Sequence, residues 1–262
     1  MEFYRIEDVK VDDIDSLINL CVPLERRNDK LFVEGIKAKK EWAVESLKKF
    51  GSIAKIAYLD SRPAGLIQYQ PRPKERLIEI TCIFVPDKQD QRRGIGRELL
   101  KRLIEDANKP KGFFDNKSAL TLVTWTFNVP GYYPQNKFYL KMGFKKVWEN
   151  DPFLLYYPLR NGYIYQPKEE GYNPQEEDRG KALIFYDPSC PFCIYFVEQI
   201  KKAIREIVSN IPIKVINMFR EREEVEKRGN VPYCAINCKA IRAFFMDKER
   251  FQKEVKEAIG EA

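Results

Sequence analysis

The chain has 262 residues, 46 basic against 39 acidic, a net charge of +7 and no histidine. The length allows two domains or one large one, and a mixed 32% charged composition describes a solvated surface rather than a nucleic-acid-binding stripe. The missing histidine excludes Ser-His-Asp and Cys-His nucleophile arrangements and histidine metal ligands, so proton transfer falls to Glu, Asp, Tyr, Lys, Cys or water. No signal-peptide pattern precedes "MEFYRIEDV" and no apolar run reaches membrane-span length, so the expectation is a cytoplasmic protein with neither membrane nor nucleic acid as partner. There the six cysteines would be mostly reduced.

In chain order, Phe3 to Ile6 reads as a first strand and about Asp13 to Cys21 as a short helix. A second helix is expected over Leu31 to Phe50, with Leu31, Phe32, Ile36, Ala43, Val44 and Leu47 inward and a stop at Gly51. The intervening "PLERRNDK" reads as a solvated loop. Ser52 to Leu59 and Ala64 to Tyr69 predict a hairpin across "DSRP", with Pro63 as a turn residue. Ile80 to Val85 is an apolar, β-branched run ended by Pro86, and Asp87 to Arg93 is a charged loop. From Gly94 onward Ile95, Leu99, Leu100, Leu103 and Ile104 recur at helical spacing.

That loop opens onto a helix N-terminus. Gly94 and Gly96 put no side chain between the backbone amides and a ligand, the helix dipole favours an anion, and Gln91, Arg92 and Arg93 add donors. Taken alone, "RRGIG" is equally a tight turn. Further on, Ala119 to Phe127 predicts a strand, "YPQNKFYLKMGFKKV" a short helix stopping at Gly143 and then a strand, and Phe153 to Leu159 one more strand. From Arg160 to Gly180 the chain is rich in Pro, Gly and charge and reads as a linker.

Gln91, Gly94 and Gly96 fill the fixed places of Gln/Arg-x-x-Gly-x-Gly/Ala after a central strand, and the stretch resembles motif A of the GNAT superfamily of N-acetyltransferases. The element order over Met1 to Leu159 resembles the whole GNAT fold. The resemblance implies acetyl-CoA as cosubstrate, its pyrophosphate on the amides of Arg92, Arg93, Gly94, Ile95, Gly96 and Arg97 and its pantetheine arm along Ile83, Phe84 and Val85. An amide of that strand would polarise the acetyl carbonyl, and Glu25, Arg26 and Arg27 would lie near the acceptor pocket. Tyr139 sits in "FYLKMGF", which is similar to the family's "FYxKxGF", whose tyrosine hydroxyl reaches the CoA sulfur as a proton donor. The other reading of Tyr139 is a core residue of an amphipathic helix. Where the family often has Asn, about seven residues before that tyrosine, this chain has Tyr132, with Asn128 and Asn136 displaced. Glu79, near the start of the central strand, matches members whose glutamate serves as base directly or through water; otherwise it is a strand-end surface carboxylate.

Lys181 to Tyr186 begins a second domain. It continues into the turn Cys190-Pro191-Phe192-Cys193 and a helix. A first cysteine at a helix N-terminus gains thiolate character, and the second is placed to resolve a mixed disulfide. Cys234 and Cys238 leave a zinc site of four cysteines as an alternative, although no metal is expected. The pattern of strand, C-x-x-C and helix, with "IPIKVINMF", "REREEVEKRG", the hairpin "NVPYCAINCKAIRAFF" and the last helix "KERFQKEVKEAI", resembles the thioredoxin-like fold, closest to glutaredoxins. That likeness implies a cis Val231–Pro232 bond with Pro232 facing the cysteine pair. Cys238 stands where glutaredoxins have a turn glycine. The whole chain resembles the YoaP-type acetyltransferases.

The expected fold class is therefore α/β (α+β). It comprises a GNAT domain with a mixed central sheet over 1–160, a linker over 161–180 and a small thioredoxin-like domain over 181–262. The expected function is acetyl-CoA-dependent N-acetyl transfer to an amine, with an appended C-x-x-C module and a thiol partner. The alternative is a thiol-disulfide oxidoreductase or redox sensor whose GNAT half only binds CoA or a partner.

Overall fold

The computed structural model describes residues 5–127, 131–167 and 171–260. Residues 3 and 4 of the expected first strand, and Asn128, lie outside the described residues. Contacts divide the chain into two units, Met1–Pro23 with Ala43–Pro167 and Leu24–Trp42 with Lys168–Ala262.

The first unit runs β1 (Arg5–Asp8), α1 (Ile14–Cys21), the C-terminal part of α2 (Lys30–Phe50), β2 (Ala54–Leu59), β3 (Arg62–Arg72), β4 (Leu77–Phe84), α3 (Ile95–Ala107), β5 (Thr121–Trp125), α4 (Gln135–Lys141), β6 (Lys145–Lys146) and β7 (Leu154–Pro158). Its seven strands form one sheet in the order β1-β2-β3-β4-β5-β7-β6. Neighbours are antiparallel except the central pair β4 and β5, so the sheet is mixed, as expected. The period of two along β4 assigns its faces. Ile78 and Ile80 join the main core with the helical stripe Ile95, Leu99, Leu100 and Leu103 of α3, while Leu77 packs on the other face with Val123, Leu154 and Tyr156. The expected hairpin forms, but its turn is Asp60 and Ser61, both at positive φ. Pro63 instead lies inside β3, paired with Tyr58. A two-residue turn with both centres left-handed matches strand twist, which moves the proline out of the turn.

The second unit contains β8 (Ala182–Tyr186), α5 (Cys193–Ile207), β9 (Ile213–Asn217), α6 (Arg222–Glu226), β10 (Cys234–Ile236), β11 (Lys239–Ile241) and α7 (Lys248–Ile259). Its sheet order is β11-β10-β8-β9, with β8 and β9 parallel and the other pairs antiparallel. Apolar residues of α5 (Val197, Ile200, Ile204) and α7 (Phe251, Val255) share a core on one face. Val225 of α6 packs on the other, with Leu183, Phe185 and Ile216. The later part of the stretch read as a linker is built into this unit. Arg228, fully buried, bonds Asp178 through Nε at 2.8 Å and Nη2 at 2.5 Å, and Asn173 N donates to Arg228 O at 2.8 Å. The Val231–Pro232 bond, expected cis, is trans, since no cis bond occurs among the described residues. A trans bond is the lower-energy isomer for any X-Pro pair unless a turn imposes the other.

Candidate functional site

In the first unit, β4 outruns its parallel partner. It pairs with β5 from Leu77 and Thr121 to Ile80 and Thr124, whereas pairing with β3 continues to Phe84 and Leu66. Among the described residues, Thr81 to Phe84 thus have no strand on the β5 side. Backbone groups directed there suit an extended ligand that adds to the strand. A β-bulge lies at the start of this stretch: Gln68 pairs with Cys82 and Tyr69 with Ile80, leaving Thr81 as the extra residue. Bulges bend and twist the strand that carries them. Gln68 Nε2 holds the bulged side chain by donating to Thr81 Oγ1 at 3.0 Å.

The N-terminus of α3 follows directly. Gly94 caps it at φ +94°, a conformation that costs a residue with a Cβ. Glu98 N bonds Gly94 O at 3.1 Å, so the N–H groups of Ile95, Gly96 and Arg97 precede the helical ladder. A Cβ at Gly96 would meet nothing nearer than Phe138 at 3.6 Å. Packing within the protein therefore does not require glycine there, while close approach by a ligand would.

The expected donors of the loop divide into two groups. Gln91 Nε2 donates to Val85 O at 3.1 Å, and buried Asp90 accepts from Arg93 at 3.1 Å and from Arg62 at 2.7 Å. Gln91 and Arg93 thus shape the loop, while Arg92 and Arg97 are exposed beside the helix terminus. Ile83 and Val85 pack partly against the main core, and Phe84 meets the ring of Tyr132 at 5.3 Å.

Tyr139, on α4, is 1% exposed and belongs to the main core. Its hydroxyl is hydrogen-bonded with Thr124, whose Oγ1 donates to Ile80 O at 3.1 Å. A hydroxyl has one proton, so within this pair Tyr139 is the donor. Burial pushes the phenol's pKa up, and the Cys82 thiol adds to the rise. Cys82 and Thr124 are neighbours of Tyr139 that the sequence did not reveal; only the bulge and the end of the parallel pairing bring them there. Glu79 is placed differently. It pairs with Val123 and Gln70, on the face opposite Ile78 and Ile80, and its Oε2 accepts from Arg72 Nε at 2.7 Å and from Arg72 Nη2. The structure does not bring Glu79 and Tyr139 onto one face of the sheet.

In the second unit, the Cys-Pro-Phe-Cys turn closes with Cys193 N donating to Cys190 O at 3.1 Å, and α5 begins at Cys193. Cys190 is exposed and Cys193 buried. Burial pushes the Cys193 thiol up to about 12, and the neighbouring Cys190 adds to this. Cys234 lies within β10, pushed up to about 12 by burial, and Cys238 occupies the β10–β11 turn with Asn237. Among the described residues no group of three or more Cys, Asp or Glu could hold a metal ion, so the four-cysteine zinc alternative has no assembled site.

The family model described as Acetyltransferase (GNAT) domain matches residues 51–146, a stretch that holds β2 to β6 and so includes the bulge, the Gly94 loop and Tyr139. Over these residues the chain is similar to the GNAT acetyltransferase domain family. No curated protein matches the chain. Among solved structures, the chain is similar to a PaiA N-acetyltransferase from Thermoplasma acidophilum in complex with coenzyme A, at 16% identity and a TM-score of 0.44 over 60% of this chain and 99% of that one. An N-acetyltransferase from Staphylococcus aureus Mu50 is similar at 17% identity and a TM-score of 0.42, over 60% of this chain and 99% of that one. A GNAT-family acetyltransferase from Bacillus cereus ATCC 10987 follows at 16% identity and 0.41, over 60% and 97%.

Proposed function

We propose that the protein is an acetyl-CoA-dependent N-acetyltransferase that acts on an amine. The observation that carries this is the one-sided strand edge at Thr81 to Phe84, leading through a glycine-bearing loop to the open N-terminus of α3. The pantetheine arm would pair with Ile83 to Val85 as an added strand. The pyrophosphate would take the amides of Ile95, Gly96 and Arg97, with Arg92 and Arg97 supplying charge. The amine nitrogen then attacks the thioester carbon, a C–N bond forms and the C–S bond breaks. Tyr139, kept protonated by its burial, would turn its one hydroxyl proton from Thr124 to the leaving thiolate, and a main-chain N–H of the bulged strand would polarise the acetyl carbonyl. Glu79 would receive the amine proton through water, since Arg72 already holds its Oε2.

For the second unit we propose a thioredoxin-like module with Cys190 as attacking and Cys193 as resolving thiol. Its support is the βαβ plus ββα order around a four-stranded sheet with the C-x-x-C turn at the head of α5. The domains 1–160 and 181–262, the intervening connection and a cytoplasmic location complete the proposal, along with a thiol partner. The competing class, a thiol-disulfide enzyme whose first domain only binds CoA, would show redox turnover without acetyl transfer.

The test is ligand-dependent unfolding. Acetyl-CoA at about a hundred times its Kd should stabilise the folded chain by about 2.7 kcal/mol. Gly96→Val, whose Cβ would meet nothing nearer than Phe138 at 3.6 Å, should abolish that shift while leaving the unliganded melting temperature near wild type. An undiminished shift would place the phosphates elsewhere.

A further inference from the structure

Helix α2 begins in the second unit, and there its backbone lies directly on the Cys-Pro-Phe-Cys turn. A Cβ added at Gly35 would stand 2.1 Å from the carbonyl oxygen of Pro191 and 3.0 Å from its carbonyl carbon. No side chain fits in that space, so glycine at this helical position is what lets the helix sit so close. Three residues earlier, Phe32 is buried and meets Phe192 edge-on at 4.9 Å and Tyr195 at 5.5 Å. The Arg26 guanidinium lies over the Phe32 ring, 5.7 Å from its centre. The result is asymmetric: Pro191 is buried, whereas Cys190 beside it stays exposed.

We propose that residues 30–42, the part of α2 in the second unit, act as a built-in cover over the turn and make the Cys190–Cys193 dithiol selective for small disulfides over disulfides held in proteins. This rests on the dithiol reading given above. A protein disulfide must bring flanking backbone down beside the attacked sulfur, and even modest protein contacts bury several hundred Å2 on each side. The helix occupies that ground along Pro191. A small disulfide needs only the exposed Cys190 sulfur and a line of attack.

The reaction balances without a further reagent. The Cys190 thiolate attacks one sulfur of RSSR, the S–S bond breaks, and RS⁻ leaves and takes a proton. Cys193 then loses its proton and attacks the Cys190 sulfur of the mixed disulfide, releasing the second RSH. The dithiol is oxidised by two electrons and the small disulfide is reduced by the same two.

The experiment uses the reduced full-length chain against two probes, 2-hydroxyethyl disulfide and insulin, following Cys190 and Cys193 by alkylation and mass spectrometry. Wild type should react with the small disulfide at least about a hundredfold faster than with insulin. Gly35→Leu, which must unseat the helix from Pro191, should raise the insulin rate about tenfold and change the small-disulfide rate by less than about threefold. Phe32→Ala, which removes the ring contact without adding bulk, should shift the ratio the same way and guards against misfolding of the leucine variant. Equal wild-type rates on both probes, or ratios unchanged in both variants while the Cys190–Cys193 disulfide still forms, would overturn the cover. No disulfide with either probe would overturn the dithiol reading itself.

Discussion

Replacing Tyr139 by Phe separates a catalytic hydroxyl from a packing ring, and the surroundings of Tyr139 set how large each effect should be. The ring is enclosed, in contact with Phe138 at 5.2 Å and Phe144 at 4.8 Å, and phenylalanine keeps those contacts. Only the hydroxyl is lost. Its partner Thr124 retains its own bond to Ile80 O, so no buried donor is stranded and the folding cost should be about 0.5–1.5 kcal/mol. In catalysis the hydroxyl faces developing negative charge, where losing one donor typically costs about 3 kcal/mol, a factor of about 10² in kcat. Acetyl-CoA binding should change little, because the charge on sulfur exists only in the transition state.

Tyr139 also carries a pH signature. Its pKa is raised by burial, so the proton stays on through the alkaline range, and turnover that needs the protonated phenol is retained below the folded-state pKa. No descending limb between pH 7 and about 10 should therefore trace to Tyr139. Free-thiol release across a panel of amines, measured with acetyl-CoA from pH 6 to 10, provides the assay. Wild-type turnover in Tyr139→Phe, or an alkaline limb that the substitution removes, would refute the donor role.

Two further predictions concern the second unit. Asp178→Asn removes the bidentate carboxylate from fully buried Arg228, which keeps Glu177 at 3.0 Å and Glu224 at 3.1 Å, and should cost about 1.5–3 kcal/mol of stability, read from denaturant unfolding. Burial raises the Asp178 pKa but Arg228 outweighs it and lowers it overall, and Lys214 and Lys227 push Glu224 down to about 2. Both contribute stability that is full above about pH 5 and lost as pH falls toward 2, so wild type should weaken over that window and the variant should weaken less. Cys238→Gly should stabilise by about 0.5–1 kcal/mol in thermal unfolding, because Cys238 is held at φ +67° in the β10–β11 turn, where a side chain is strained. A neutral or destabilising result would mean that its contact with Gln175 O outweighs the backbone term.

Much of the fold was legible because its elements are local. The stripe of Ile95, Leu99, Leu100 and Leu103 gave α3, and the apolar, β-branched run from Ile80 gave most of β4. The strand–turn–helix context of Cys190 and Cys193 was equally local. What could not be read depends on partners distant in sequence. Arg228 and Asp178 are fifty residues apart, so "QEEDRG" looked like a solvated linker although half of its charge is tied down. Gly35 drew no reading within the expected helix, because its reason is the carbonyl of Pro191.

The same distinction explains why the transfer site was only half visible. Its visible half lies in side chains and glycines of a contiguous stretch, Gln91 to Arg97, and in Tyr139. The other half is main chain: the bulge at Thr81 and the four residues of β4 that β5 does not reach. Main-chain N–H and C=O groups are the same in every residue, so no letter in Thr81-Cys82-Ile83-Phe84 marks them as binding groups. Their availability is a property of where pairing stops. That is set by β5 parting from β4 after Thr124 while it stays paired to β7 through Trp125, and by the extra residue in β4. A substitution that removed the bulge would shift each later residue of β4 to the opposite face. Ile83 would leave the core, and the edge would no longer point toward Gly94. Register, more than any single side chain, therefore holds this site together.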